Sequence, residues 1–407
     1  MYIFKAAVVG AGTMGGEIAQ VISFSGLPVV LKDIDQAMLD RGMAKAREIY
    51  QRRVDKGKMS AGEMQAKMDL IIPTLTYDGF EDVDIVIEAV PERMDIKKKV
   101  FQELDEVCPE QTIFASNTSA LSISEMGAAT KRPHKVVGMH FFNPASVMKL
   151  VEVIPGLDTS QETVDDVVMF AESLRKIPVV VQECPGFLVN RLLMPYLNEA
   201  TKALEEGAAT ATEIDRAVVE WGMPMGPFTL MDMLGLDVCA HVGQYLYSEY
   251  GERMSPARLF EKLVAAGRLG EKTGAGFYDH PGGESEVVYR MIKELQESGA
   301  VPTGTRFSAE RLMYPLINEA ALCVQEHIAS VNDIDMAMVA GTGMTYGGER
   351  IGPLAIADKI GLDVVVAKLE ELAQELGPRF LPSRPLKLRV RAGHLGVKTG
   401  KGFHEYA

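Results

Sequence analysis

At 407 residues, 47% of them hydrophobic, the chain has the length for two or three domains and ample apolar mass for their cores. A net charge of −14 argues against nucleic acid or an anionic membrane surface as a main partner, since both need a basic field. The four cysteines, Cys108, Cys184, Cys239 and Cys323, form no C-x-x-C and lie at no metal-ligand spacing to a histidine, which predicts reduced thiols in a cytoplasmic protein and no metal site.

The first strand is expected over Ile3 to Val9, which leaves no room ahead of it for a signal or transit peptide. No apolar run approaches the roughly 18 residues of a spanning helix, so no membrane insertion is expected. The strand runs straight into Gly10-x-Gly12-x-x-Gly15. Met14 to Phe24 has helical periodicity, and Pro28 to Asp33 reads as a second strand that ends on an acid eighteen residues after Gly15. In this context the three glycines read as a dinucleotide fingerprint: Gly10 for the tight turn, Gly12 for close approach of a pyrophosphate, Gly15 for close packing of the helix. Asp33 would bind the adenosine ribose and repel a 2′-phosphate, which favours NAD over NADP, with Lys32 the one dissenting charge. The alternative is a glycine-rich turn that binds nothing.

Residues 36–70 read as a helical hairpin, turning near Lys56-Gly57-Lys58-Met59-Ser60, with Ser60 as an N-cap. Eight basic residues (Arg41, Lys45, Arg47, Arg52, Arg53, Lys56, Lys58 and Lys67) face five acidic ones there, inside an acidic chain. That is either a solvated face or a landing surface for a polyanionic substrate handle. Strands are expected at Asp84 to Glu88, Thr112 to Ala115, Val136 to Phe141, Leu150 to Ile154 and Val179 to Val181, with a helix from Arg93 to Val107. The alternation implies an α/β doubly wound, Rossmann-type domain over residues 1–184, with a mostly parallel sheet.

Beyond Cys184-Pro185-Gly186 only helical patterns follow, and they repeat. Arg191-Leu-Leu-Met-Pro-Tyr-Leu-Asn-Glu-Ala200 returns as Arg311-Leu-Met-Tyr-Pro-Leu-Ile-Asn-Glu-Ala320, and Lys272-Thr-Gly-x-Gly-Phe277 as Lys398-Thr-Gly-x-Gly-Phe403. Two tandem all-α repeats are therefore expected, 185–282 and 305–407, joined by a linker helix within 283–304. Pro195 and Pro315 interrupt helical patterns and predict a kink or a break.

A nicotinamide enzyme needs an acid or base beside the carbon that exchanges hydride, and histidine's pKa suits that near neutrality. His140 lies near the end of a strand, where parallel sheets collect their ligands, and Glu152 sits amid apolar residues of the next strand. A carboxylate behind an imidazole would fix its tautomer. A satisfied core histidine and a structural ion pair are the plainer readings of these two. Ser116-Asn117-Thr118-Ser119 ends another strand, and by local rules a capping role fits it better than a ligand contact.

Together, Gly10-Ala-Gly12-Thr-Met-Gly15, Ser116-Asn-Thr-Ser119, Gly138-Met-His140-Phe-Phe-Asn143-Pro144, Leu150-Val-Glu152-Val-Ile154 and Gly186-Phe-Leu-Val-Asn190-Arg191 resemble the L-3-hydroxyacyl-CoA dehydrogenases over almost the whole chain. The duplicated helical half is similar to the dehydrogenase part of the bacterial multifunctional fatty-acid oxidation subunit, whose enoyl-CoA hydratase region has no counterpart here, so no hydratase activity is expected. The resemblance implies oxidation of a 3-hydroxyacyl-CoA by NAD. It makes His140 the general base, Glu152 its orienting partner, and Ser119 and Asn190 the hydrogen-bonding partners of the reacting oxygen. It also implies cofactor contacts from Met14, Asp33, Glu92, Lys97, Asn117 and Asn143, and a contact of Lys56 with the CoA phosphates. Asn190-Arg191 becomes Glu310-Arg311 in the second repeat. That repeat is expected to act as a built-in partner in an intramolecular pseudo-dimer, with a decayed second site as the rival. A further homodimer and a thiolase partner stay open.

Overall fold

The structure is a computed structural model that describes residues 2–304 and 306–406. The chain divides into two compact units, Met1–Phe187 and Leu188–Ala407.

The first unit begins with β1 (Ala6–Val9), α1 (Thr13–Phe24) and β2 (Val29–Lys32). The hairpin follows as α2 (Gln36–Asp55) and α3 (Ala61–Met68). Asp35 caps α2 by accepting from the amides of Ala37 and Met38, and Ser60 forms a capping box with Glu63 on α3. Then come β3 (Ile71–Thr74), β4 (Ile85–Glu88), α4 (Met94–Val107), β5 (Ile113–Ser116) and α5 (Ile123–Gly127). The unit finishes with β6 (Val136–Phe141), β7 (Leu150–Pro155), α6 (Gln161–Ser173) and β8 (Ile177–Val180).

These strands form one sheet in the order β3-β2-β1-β4-β5-β6-β7-β8, parallel throughout except between β6 and β7. The chain builds outward from β1 to β3 and then returns to the other side of β1 with β4. That reversal opens a crevice beyond the carboxyl ends of β1 and β4, where such sheets bind ligands. β1, β4, β5 and β6 are buried along their whole length, as continuous apolar runs in a sheet covered on both faces require. Strand β3 goes beyond the sequence reading. With Pro73 in it and only Ile71 buried, it carries little strand pattern, and it survives as an edge strand, where a missing amide donor is tolerated.

The second unit holds α7 (Val189–Glu205), α8 (Ala211–Trp221), α9 (Pro227–Leu234), α10 (Leu236–Tyr250) and α11 (Arg258–Ala265), then α12 (Glu286–Glu297). It continues with α13 (Glu310–Gln325), α14 (Val331–Thr342), α15 (Pro353–Ile360), α16 (Leu362–Leu376) and α17 (Arg384–Arg391). Helices α7 to α11 recur in order as α13 to α17, and α12 lies between the copies. A break at the prolines is not what forms: α7 and α13 run unbroken through Pro195 and Pro315. Each proline lies inside its helix, in the second turn, and removes one amide donor, and α7 and α13 pack on one another, which offsets that loss.

Each copy is closed by two buried aspartates. Asp215 accepts from the amides of Phe228 and Thr229 at 2.9 and 3.1 Å, and Asp335 from those of Leu354 and Ala355 at 2.8 and 3.0 Å. Asp232 and Asp358 hold the last turns of their copies in the same way, through Phe277 and Tyr278 and through Phe403 and His404. The glycines against them leave no room for a side chain. A Cβ on Gly226 would lie 2.1 Å from Asp215 Cγ, and one on Gly402 1.9 Å from Asp358 Oδ1. The remaining partners are crossed between copies. Asp215 accepts from the Tyr278 hydroxyl and Asp232 pairs with His280, whereas Asp335 pairs with His404 and Asp358 accepts from the Tyr406 hydroxyl.

The two copies also exchange charges through α7 and α13. Arg191 of α7, fully buried, places Nε 2.8 Å from Glu319 and Nη1 2.8 Å from Glu326, both on or next to α13. Arg311 of α13 mirrors it, with Nε 3.2 Å from Glu199 and two bonds of 2.8 and 2.9 Å to Glu206. Arg253 reaches Glu319 at 3.2 Å, and its counterpart Arg379 reaches Glu199 at 2.5 Å. Residue i of one copy meets residue j of the other and the reverse, which is the signature of an isologous, dimer-like interface inside one chain.

Candidate active site

The glycine loop has the shape its spacing predicts. Gly10 adopts φ +99°, and a Cβ there would sit 2.6 Å from Ala89 O, while a Cβ on Gly15 would sit 1.7 Å from Gly10 O. Neither position accepts any other residue. At Gly12, by contrast, the nearest atom is Met38 Cε at 3.8 Å. The space kept there lies at the first turn of α1, where unpaired amides and the helix dipole favour a phosphate. Met14 sits half-buried in that turn.

Asp33, just beyond β2, accepts from the amide of Ala11 at 2.7 Å and from those of Ile34 and Asp35 at 2.7 and 3.2 Å. Its carboxylate is thus locked against the glycine loop in a rigid position. Lys32 is turned away from it: the ammonium lies 4.3 Å from the Tyr77 ring centroid, and burial lowers its pKa. The charge that argued for a 2′-phosphate is engaged elsewhere.

Beyond β4 and β5 lies a network that the sequence reading only touched. Glu88, fully buried at the end of β4, accepts from Lys97 Nζ at 2.8 and 3.0 Å, from the Ser116 hydroxyl at 2.6 Å and from the Val90 amide at 2.7 Å. Lys97, itself 1% exposed on α4, also lies 3.2 Å from Glu92. Glu92 in turn accepts from the Thr118 hydroxyl at 2.5 Å and from the Ser119 amide at 2.9 Å. Burial works to raise the pKa of Glu92, but Lys97 and these donors outweigh it and hold the carboxyl below its usual range. These groups therefore form one structure, and removing one charge of the buried Lys97–Glu88 pair would cost about 3–5 kcal/mol. The Ser116 to Ser119 segment does not take the capping role expected of it, since Ser122 caps α5: it is tied by Glu92 to α4, and Asn117 accepts from the Phe141 amide at 2.8 Å, binding the end of β5 to β6.

His140 and Glu152 stand directly opposite each other in the β6–β7 register. Nδ1 of the imidazole lies 2.8 Å from Glu152 Oε2, with the histidine 5% and the glutamate 0% exposed. That pairing falls on the one antiparallel contact of the sheet. A carboxylate can only accept, so Nδ1 donates, and Nε2 is the ring atom with a lone pair for a substrate proton. The rings of Phe142 and Phe187 flank the imidazole at 4.6 and 5.9 Å between centroids.

Asn143 is exposed in the loop after β6. That loop is held from below by Lys176, which donates to the carbonyls of Ala145 and Met148, the latter at 2.7 Å, and whose pKa burial lowers to about 8. Lys56 is exposed at the C-cap of α2. Within the hairpin, Arg53 lies over the Phe24 ring and Lys45 and Arg52 pair with Glu48, while Arg41, Arg47, Lys56 and Lys58 are exposed and join no ion pair among the described residues. Asn190 is half-buried in the first turn of α7, in the second unit. Among the described residues no group of histidine, cysteine and acidic side chains could hold a metal, the four buried cysteines form no disulfide, and no helix is long and apolar enough to cross a membrane.

The crevice, the glycine loop and the histidine–glutamate pair agree with what the chain resembles. The NAD-binding domain of 3-hydroxyacyl-CoA dehydrogenase matches residues 5–184, and the C-terminal domain of the same family matches twice, over residues 186–280 and 307–406. The fatty acid oxidation complex subunit alpha of Psychrobacter arcticus is 38% identical over 98% of this chain, which spans 56% of that relative's length. The structure of 3-hydroxybutyryl-CoA dehydrogenase from Escherichia coli K12 covers 96% of this chain and is itself covered to 99%, with 31% identity and a TM-score of 0.86. That of (S)-3-hydroxybutyryl-CoA dehydrogenase from Ralstonia eutropha is covered to 99% by 68% of this chain, with 42% identity and a TM-score of 0.66. The chain belongs to the 3-hydroxyacyl-CoA dehydrogenases, a family of NAD-dependent oxidoreductases of acyl-CoA metabolism, and carries the C-terminal domain of that family in tandem.

Proposed function

We propose that the chain catalyses the reversible oxidation of an (S)-3-hydroxyacyl-CoA to the 3-oxoacyl-CoA. The observation that carries this reading is the His140–Glu152 pair, buried at the carboxyl end of β6 in the sheet that presents the glycine loop. His140 Nε2 takes the proton of the 3-hydroxyl, and Glu152 holds the ring in that tautomer and stabilises the imidazolium that results. Ser119 and Asn190 donate to the reacting oxygen and favour the charge that develops on it. Bound on the glycine loop, NAD supplies the acceptor for the hydride leaving C3. Met14, Asp33, Glu92, Lys97, Asn117 and Asn143 form the cofactor's surroundings, Asp33 taking the adenosine ribose. The ties from Glu92 to Ser119 and from Asn117 to β6 support a cofactor site and a substrate site built as one piece. Lys56 takes the CoA phosphates, which the unpaired cations of the hairpin support. Four buried cysteines that form no disulfide suit a cytoplasmic enzyme.

A second reading, a free 3-hydroxy acid as substrate, is favoured by the internal pairing of Lys45, Arg52 and Arg53, which leaves part of the basic hairpin as an ordinary solvated face. NADH consumption with acetoacetyl-CoA and with acetoacetate separates the two. Turnover of the thioester alone is expected. Equal turnover of both would remove the CoA handle, and turnover of neither would remove the enzyme. His140→Gln is expected to abolish turnover while NADH still binds.

A further inference from the structure

We propose that α17 docks on α6 of a second copy of this chain, forming a salt-sensitive dimer to which each copy contributes both helices. The charge of the chain is unevenly spread. Residues 381–401, which hold α17, carry six lysines and arginines and no acid, whereas the matching stretch of the first repeat, 255–275, carries four basic and two acidic residues. Residues 157–173, which hold α6, carry five acids and no lysine or arginine. In a chain of net charge −14, α17 is a local reversal of sign.

The first repeat shows what such a face accepts. There α12 packs on α11, the counterpart of α17, and Glu294 of α12 lies 2.8 Å from Lys262 of α11. Among the described residues the second repeat has no counterpart of α12. Leu388, which takes the place of Lys262, is left 47% exposed. Arg384 and Arg391 are exposed one turn to either side of it, and like Lys387 they join no ion pair among the described residues. The face that a helix covers on α11 is therefore bare on α17, and its charge calls for an acidic occupant.

Helix α6 carries the matching stripe. Met169 is 51% exposed, and Asp165 and Glu172 are exposed one turn before and after it. Glu172 joins no ion pair among the described residues, and Asp165 accepts from the neutral Gln161 at 2.8 Å. Residues at intervals of three and four lie along one line of a helix. Arg384 and Arg391 are seven residues apart, as are Asp165 and Glu172, so each pair spans about 10.5 Å of helix axis. Setting Leu388 on Met169 brings the two cations opposite the two carboxylates. One helix pair is a small interface, but a twofold arrangement makes the contact twice. An extended anionic surface such as a lipid bilayer fits less well, because it would also meet the remainder of the chain, which is more acidic than the whole; one acidic helix meets the cations alone.

The full chain is followed by sedimentation velocity over a dilution series at about 50 mM and about 300 mM salt. Four samples are compared: the parent, Arg384→Glu/Arg391→Glu, Asp165→Lys/Glu172→Lys, and an equal mixture of the two variants. The parent is expected to dimerise at the lower salt and to bind itself at least about tenfold more weakly at the higher. Each variant alone is expected to stay monomeric, since its α17 and α6 then carry like charges. The mixture is expected to recover the dimer, since both contacts of the pair are again of opposite sign. A parent that is monomeric throughout, a dimer that survives either reversal, or a mixture no more associated than its parts would overturn the proposal. Binding of a monomeric parent to phosphatidylglycerol vesicles, lost in Arg384→Glu/Arg391→Glu, would give the face to a membrane and overturn it too. Where a reversed variant proves poorly folded by Tm, Arg384→Gln/Arg391→Gln and Asp165→Asn/Glu172→Gln replace the two. Each is then expected to weaken the dimer about tenfold, and their combination by less than the product of the two losses; a full product would overturn the pairing.

Discussion

The two helical repeats share a scaffold and differ where chemistry would be done. Both keep the paired aspartates, the glycines packed on them, the lysine–aspartate contact of Lys272 with Asp237 or Lys398 with Asp363, and the arginine clamp. They part at Asn190 against Glu310, at Tyr196 against Leu316 and at Glu205 against Gln325. What holds a repeat together is therefore separable from what one repeat is used for. The second copy keeps the surface that mates with the first and has lost the asparagine.

The most severe way to break this comparison is to remove residues 305–407. Arg191, Glu199 and Glu206 would then lose their partners, and the apolar surface of α7 that packs on α13 would be bared to water. The expected outcome is a product that is insoluble or associates with itself through the bared face, read by size-exclusion chromatography; a soluble, fully active monomer would refute the built-in partner. Next in size is an exchange of identities. Asn190→Glu puts a carboxylate where developing negative charge needs a donor and is expected to lower kcat by roughly a hundredfold or more. Glu310→Asn is expected to leave kcat within about twofold, since one substitution does not rebuild a site.

A smaller effect concerns stability. Burial raises the pKa of Glu205 to about 7, while its counterpart Gln325 is exposed and uncharged. The difference lies with α12, which packs on α7 and whose Gln296 donates to the Glu205 carbonyl: α17 covers α13 as α11 covers α7, but among the described residues the second copy has no counterpart of α12. A carboxyl whose folded pKa lies above its unfolded value near 4.5 burdens the native state once pH passes the folded value and leaves it unburdened below the unfolded one. Glu205→Gln is therefore expected to raise Tm by several degrees at about pH 8, from a relief of about 3 kcal/mol, and to change it little at about pH 5. Smallest is the crossed histidine. The bond from His404 to Asp335 raises its pKa above 6.5, so its contribution is full below about pH 6.5 and fades as pH climbs through the higher folded value. The Tm difference between the parent and His404→Gln, roughly a degree at this partly exposed site, should shrink as pH rises.

Features set by local spacing were legible in the sequence: the glycine loop, the strands leading to it, the N-cap at Ser60 and the repeat itself. Contacts made across the fold were not. Glu88 reads as the polar end of a strand, and nothing nearby in sequence announces that Lys97 and Ser116 converge on it. The antiparallel register that sets Glu152 behind His140 is likewise a property of the sheet. The clamp did leave a trace: Arg191, Glu199 and Glu206 recur in step as Arg311, Glu319 and Glu326, charges kept in duplicate within helices that are otherwise buried. Charged residues that survive in both copies at such positions signal a partner, and here each copy is the other's. Of the kink or break expected at Pro195 and Pro315, the break did not form for a related reason, since local propensity was outweighed by packing between α7 and α13.

The glycines pressed against the closing aspartates set a limit on how far the copies can drift. Any side chain at Gly226 or Gly402 must displace a carboxylate that holds backbone amides, and any change of the aspartate strands those amides. Neither member of a contact can change first without the fold passing through a damaged intermediate. Divergence is thereby channelled to positions such as 190, 205 and 310, and the ancestry of the second copy stays readable in a handful of residues that have nothing to do with catalysis.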